Sequence, residues 1–142
     1  MKRLVIAALF AALLAPSLAQ ASTCNGTLLA DFSTQCDSAD EASNAAAAGP
    51  YCEAAAEQYA NCAAEMSGNN RETSLVMEAY YLTTSGYWYI HTDMGMGEQA
   101  ADHFRQAIRL SNDSLARKAA KPNMLKLAKA NLDLATQQLG RL

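Results

Sequence analysis

Four cysteines constrain the fold of this chain more than any other feature, and all of them lie in its N-terminal half. Four cysteines can pair in three ways. Residues 51–66 have the apolar spacing of a helix, which places Cys52 and Cys62 about 15 Å apart at about 1.5 Å per residue. Because a disulfide requires Cα atoms within about 7 Å, the sequence excludes a Cys52–Cys62 bond and, with it, a Cys24–Cys36 bond.

The nested pairing, Cys24 with Cys62 and Cys36 with Cys52, is favoured by the position of the two pairs along the chain. Their midpoints nearly coincide, at residues 43 and 44, as they would in an antiparallel helical hairpin. The C-x11-C and C-x9-C spacings resemble those of the twin-cysteine hairpins of coiled-coil-helix proteins. The resemblance is one of geometry alone. We therefore predict a helical hairpin, residues 22–68, stapled by two disulfides.

Residues 1–21 have the features of a bacterial export signal. Lys2 and Arg3 precede an unbroken apolar run over residues 4–15, and Ala19-Gln20-Ala21 fits a cleavage site. The run is shorter than the roughly 20 residues that span a bilayer, and no later segment is long and apolar enough. We expect one soluble helical domain, residues 22–142, in the periplasm or secreted, where disulfides form and persist.

Charge is distributed unevenly along the chain. Residues 22–100 contain eleven acids and one base, Arg71, a net charge of −10, whereas residues 101–142 contain eight bases and three acids, a net charge of +5. Two interpretations are open: the oppositely charged helices attract each other within the fold, or a partner of complementary charge binds. An exported chain that is acidic as a whole is not expected to bind nucleic acid.

Residues 71–91 and 98–111 predict two helices joined by a glycine-rich connector. Asn69 and Glu72 match the N-cap and N3 positions of a capping box at the start of the first helix. Small and aromatic residues follow in an order that resembles a tetratricopeptide repeat: Gly86 and Tyr89, then Ala100, Phe104 and Ala107. The resemblance covers residues 69–112 and implies two antiparallel helices. A generic antiparallel helix pair, which needs the same small residues for close packing, is the alternative.

Two further stretches complete the predicted fold. Residues 37–49 form either a short Ala-rich helix or a long loop, ended by Gly49-Pro50. The last segment, residues 113–142, contains a short helix or the first part of a longer one over residues 113–120, then a helix over residues 122–139. The whole is an all-α fold of about five helices in antiparallel hairpins.

Nothing in the sequence predicts catalysis. The cysteines are expected in disulfides, neither His91 nor His103 lies in a catalytic motif, and there is no glycine-rich phosphate loop. We therefore expect no enzyme and no cofactor. An enzyme of unknown type is the least favoured alternative.

Five aromatic rings lie between residues 80 and 89. One helix face cannot bury all of them, and Tyr and Trp are enriched in binding hot spots. We predict that Tyr80, Tyr81, Tyr87 and Trp88 bind a partner, with Trp88 projecting away from the core. The alternative is that they pack against the neighbouring hairpin. The leading interpretation is an exported protein–protein interaction module, such as an adaptor or an immunity or inhibitor protein. Its partner is another protein, and its oligomeric state is left open.

A metal site is the second interpretation. His91, Met94, Met96 and His103 lie in or near the connector, and thioether and imidazole ligands select Cu(I). The alternative is a plain helix connector, with methionines that cover the edge of the core and histidines on the surface.

Overall fold

Five α-helices form the part of the chain that the structure describes, residues 23–142 of a computed structural model. The predicted export signal, residues 1–21, lies outside the described residues. The all-α prediction is confirmed, since residues 23–142 contain no strand. None of the five helices combines the length and apolar composition that a membrane span requires. They are α1 (Gly26–Glu41), α2 (Ala45–Glu65), α3 (Gly68–Ile90), α4 (Gly97–Arg117) and α5 (Pro122–Leu139).

Each helix packs against the next one along the chain, and α5 also returns onto α3. Helix α3 is therefore the centre of the fold and contacts α2, α4 and α5. At the α3–α4 contact, the ring of Phe104 lies directly on Gly86, where an added Cβ would approach Cε1 of that ring to 2.8 Å. On the α5 side, the side-chain amide of Asn131 donates a buried hydrogen bond of 3.2 Å to the carbonyl of Val76.

The predicted disulfides are confirmed. Cys24 is bonded to Cys62 and Cys36 to Cys52, with Cα atoms 4.4 and 4.8 Å apart. This nesting fixes α1 and α2 as an antiparallel pair.

The start of α2 differs from the prediction. The helix begins at Ala45, after the Asn44 cap, and runs through Gly49 and Pro50, so that the predicted end at Gly49-Pro50 is wrong. Gly49 serves a tertiary contact instead, because a Cβ there would lie 2.6 Å from Cε1 of Tyr89. Its carbonyl also accepts a buried hydrogen bond of 2.8 Å from the hydroxyl of Ser85. Pro50 lies in the second turn, where its missing N–H removes a single helical hydrogen bond.

The predicted capping box at the start of α3 is also wrong. The helix begins at Gly68, which places Asn69 inside its first turn. Glu72 does not reach back to the cap; its carboxylate accepts hydrogen bonds of 3.0 and 3.1 Å from Nε of Arg117. That arginine lies in the last turn of α4, because α4 continues past residue 111 through Asp113. Residues 113–117 are therefore the last part of α4, so that both predicted alternatives for residues 113–120, a short helix and the first part of a longer one, are wrong. Helix α5 matches its predicted bounds.

Candidate functional site

The rings of Tyr87 and Tyr89 face opposite sides of α3. At about 100° per residue, positions 87 and 89 point about 200° apart. Tyr89 is buried, and its hydroxyl donates to the carboxylate of Glu53 on α2. Tyr80 and Tyr87 are half-buried on the side between α1 and α5.

A groove runs along that side, and we name it the aromatic groove. It consists of two adjoining depressions of about 390 and 290 Å³, which share Asp40 and Tyr80. Helix α5 adds one apolar residue, Leu134, which is 42% exposed. The lining residues are Asp37, Asp40 and Glu41 of α1, Met77, Tyr80, Tyr81, Thr84 and Tyr87 of α3, and Leu134 of α5.

Tyr81 is a core residue, although the sequence placed it among the partner-binding rings. It is only 3% exposed and stacks on Tyr59 with ring centroids 5.5 Å apart. Burial raises its pKa to about 12. Its hydroxyl donates to Asp37 at 3.4 Å, so that Tyr81 contributes to the groove by holding an acid rather than by presenting a ring.

Trp88 does not project away from the protein, as the sequence analysis expected. It is half-buried, and its Nε1 donates a hydrogen bond of 2.6 Å to Asp40 near the end of α1. Its ring packs edge-on against Tyr87, with centroids 5.1 Å apart. The indole therefore ties α3 to α1 at the rim of the groove.

Three acids of the groove, Asp37, Asp40 and Glu41, were not among the predicted site residues. We call them the groove acids. Burial raises the pKa of Asp37, the hydrogen bond from Tyr81 opposes that shift, and the charges of Asp40 and Glu41 add to it. The acidic run over residues 37–41 was visible in the sequence, but its approach to α3 was not.

Among the residues that the structure describes, few ion pairs join the acidic part of the chain, up to residue 100, to the basic part, residues 101–142. Within residues 23–142, the ion pairs that join them are Arg117 with Glu72 and, when the imidazole is protonated, His103 with Glu53. Neither pair includes a groove acid, and neither Lys nor Arg is among the residues that line the groove.

A second groove, of about 310 Å³, lies between α2, α3 and α4. Its acid Glu53 accepts hydrogen bonds from Tyr89 and Gln99, and Nε2 of His103 lies 3.3 Å from it. Burial lowers the pKa of His103, whose Nδ1 is buried without a hydrogen-bond partner among residues 23–142. Burial raises the pKa of Glu78 on the facing wall. The lining residues are Glu53, Ala56, Glu57, Ala60, Glu78, Leu82, His103 and Gln106.

The predicted Cu(I) ligands have different surroundings. His103 contacts Glu53 and Tyr89, whereas Nδ1 of His91 lies 2.6 Å from the carbonyl of Tyr87 and its ring lies against the Tyr87 ring. Tyr87 and Tyr89 point to opposite sides of α3, so the structure does not gather the two imidazoles. Met94 is 55% exposed, and Met96 packs against the core. The described residues contain no group of three or more His, Cys, Asp or Glu side chains that could hold a metal ion.

Comparisons of this chain with protein-family models, with curated proteins and with solved structures found no match. The resemblance of residues 69–112 to a tetratricopeptide repeat therefore stays a prediction.

Proposed function

We propose that this chain is an exported protein-interaction module whose partner binds in the aromatic groove. The observation that carries the proposal is the combination of two half-buried tyrosines, Tyr80 and Tyr87, with the exposed Leu134 and a charged rim. Protein interfaces are enriched in aromatic residues at their centres and are polar at their rims.

The groove is held in one shape by contacts from three directions. Trp88 fixes α1 through Asp40, and Asn131 fixes α5 through the backbone of α3. The Cys36–Cys52 disulfide holds α1 on α2 one residue before the first groove acid. A site that is ordered before binding loses less conformational entropy when it binds, which favours affinity.

The elongated form of the groove supports an extended segment of a partner as the bound element. Two adjoining depressions can receive successive side chains of such a segment. An adaptor and an immunity or inhibitor protein would both use the surface in this way. The two disulfides are compatible with the proposed export, since disulfides persist in oxidising compartments.

Photocrosslinking from inside the groove tests this proposal. A photoreactive phenylalanine analogue at Thr84 should yield a discrete adduct with a partner protein in the cells that export the chain. The same analogue at Ala64, on the exposed surface of α2, is the control and should not yield that adduct. Replacing both Tyr80 and Tyr87 by Ala should remove the Thr84 adduct. An adduct that forms equally from both positions, or survives loss of both rings, would contradict the assignment of the groove.

A further inference from the structure

We propose that the segment bound in the aromatic groove is basic, and that the groove acids and the ring faces of Tyr80 and Tyr87 hold a Lys or Arg side chain of the partner protein. This inference rests on the proposed function and adds the chemistry of the partner to it. Four observations on the groove support it.

The first observation is how the acids are held. Asp40 accepts a hydrogen bond from the indole N–H of Trp88, and Asp37 accepts one from the hydroxyl of Tyr81. Both donors are neutral. They hold two acids that line the groove and leave their negative charges in place.

The second observation is that the charges of the groove acids raise the pKa of neighbouring groups. Besides burial, the charges of Asp40 and Glu41 raise the pKa of Asp37. Burial, followed by the charges of Asp37 and Asp40, raises the pKa of Tyr80. A cation bound among these groups would relieve the repulsion, so we expect binding to lower the pKa of Asp37.

The third observation is that the cations within residues 23–142 do not occupy the groove. Among these described residues, no Lys or Arg lines it. Several bases of the C-terminal part have acidic partners elsewhere within residues 23–142: Arg105 with Asp102, Arg117 with Glu72 and Lys129 with Asp133. The groove therefore offers negative charge to a partner from outside the chain.

The fourth observation distinguishes an organic cation from a metal ion. Within the described residues, no group of acids and histidines has the arrangement of a metal site. Tyr80 and Tyr87 line the groove together with Asp40, and such a set suits a guanidinium or ammonium group, which is attracted to an aromatic face and to a carboxylate at the same time. Arg fits best, because its planar group can stack on a ring and still donate to an acid.

Three labelled peptides of equal length test the inference in fluorescence anisotropy with the disulfide-bonded protein. They alternate Ala with Arg, with Gln or with Glu. We expect the Arg peptide to bind about tenfold more tightly than the Gln peptide, a difference of about 1.4 kcal/mol. The Glu peptide should not bind. Because the contacts are charged, the advantage of the Arg peptide should shrink as salt is added.

A matched pair of variants separates the groove from the general acidity of the chain. Asp37→Asn, Asp40→Asn and Glu41→Gln together should lower the affinity for the Arg peptide about tenfold. The amides keep an oxygen acceptor for Tyr81 and Trp88, so the fold should be retained. The control removes three exposed acids outside the groove, Asp31→Asn, Glu57→Gln and Asp93→Asn, and should leave the affinity within about twofold.

The outcomes separate this inference from the proposed function. If the groove variant and the control variant lose affinity for the Arg peptide equally, the peptide binds to diffuse negative charge, and the inference is overturned. Equal affinities for the Arg and Gln peptides would also overturn the inference. If the Thr84 adduct still forms in that case, the proposed function is retained. If the adduct is absent and no peptide binds, both proposals are wrong. Binding of free arginine as tightly as the peptide would replace the partner segment by a small-molecule ligand and overturn the inference.

Discussion

The hairpin of α1 and α2 and the three-helix unit of α3, α4 and α5 are held together by different means. Every buried hydrophobic residue of α1 and α2 is Ala or Cys, whereas α3 and α4 bury Val76, Leu82, Tyr89 and Phe104. Both disulfides lie in the hairpin, with Cys24 two residues before α1 and the other three cysteines in α1 and α2. Residues 63–142 contain no cysteine. Covalent links therefore occur where the buried side chains are small.

Energetics explain this division. Burial of apolar surface contributes about 0.8 kcal/mol per CH₂ group, so that a buried Ala contributes little. Fixing the backbone of each residue opposes folding by about 1–2 kcal/mol, whichever side chain it carries. A disulfide reduces the conformational entropy of the unfolded chain and makes up for part of the missing burial.

Removing both disulfides should therefore have the largest effect of any change considered. Replacing all four cysteines by Ala opens nested loops of 38 and 16 residues. The chain-entropy model gives a loss of about 6 kcal/mol in the free energy of unfolding, against a total of about 5–15 kcal/mol for typical proteins. Chemical denaturation followed by circular dichroism measures the loss.

Hydrogen exchange would show where that loss falls. In the cysteine-free chain, amides of α1 and α2 should lose protection before those of α3 and α4. Uniform loss of protection along the chain would show that the two units unfold together and would contradict this prediction.

The three-helix unit should depend instead on one large ring. Phe104 is fully buried against Gly86. Phe104→Ala should lower the free energy of unfolding by about 4 kcal/mol, because it removes apolar contacts and leaves a cavity. Gly86→Ala, which forces a Cβ into the same contact, should cost about 1–3 kcal/mol. If Phe104→Ala lowered the free energy of unfolding no more than Ala56→Gly on α2 does, the buried Phe104 ring would not be the main support of the three-helix unit.

Features fixed by distance along one helix could be predicted from the sequence, and features fixed by distant residues could not. The rise of a helix excluded the Cys52–Cys62 bond, and the nearly coincident midpoints of the two pairs favoured the nested disulfides. The capping box was wrong because the best partner of Glu72 is Arg117, 45 residues away. The Gly49-Pro50 pair predicts a helix end, but its glycine is needed for the approach of Tyr89, which no local pattern shows.

The same distinction applies to the candidate site. The tyrosines of α3 could be found because they are neighbours in sequence, and a helix cannot bury them all. The groove acids and Leu134 come from helices on either side of α3, and only packing brings them to the rings. Trp88 was placed outside the core from its helical angle alone, without the carboxylate of Asp40 that it meets 48 residues away.

The ion pair between α3 and α4 should contribute less than the buried ring. The side chain of Glu72 is 5% exposed and that of Arg117 is 38% exposed. Arg117→Ala leaves the buried carboxylate of Glu72 with one longer ion pair, 3.9 Å from Arg71. It should cost about 2 kcal/mol, less than for a fully buried pair because the Arg117 guanidinium is partly solvated. Arg105→Ala removes an exposed pair with Asp102 and should cost at most about 0.5 kcal/mol. Urea denaturation measures both losses in the free energy of unfolding. Equal losses for Arg117→Ala and Arg105→Ala would mean that burial of Glu72 adds nothing to its ion pair with Arg117.

A smaller effect than that of Arg117→Ala is expected at one of the contacts between the two units, the hydrogen bond from Trp88 of α3 to Asp40 of α1. Trp88→Phe keeps an aromatic ring beside Tyr87 but removes the N–H that Asp40 accepts, so it should cost about 1 kcal/mol. Asp40→Asn retains an oxygen acceptor and should cost less than Asp40→Ala. A double-mutant cycle of Trp88→Phe with Asp40→Ala isolates the contact, and we expect a coupling energy of about 1 kcal/mol. A coupling energy near zero would mean that the disulfide-linked hairpin is held on α3 without this bond.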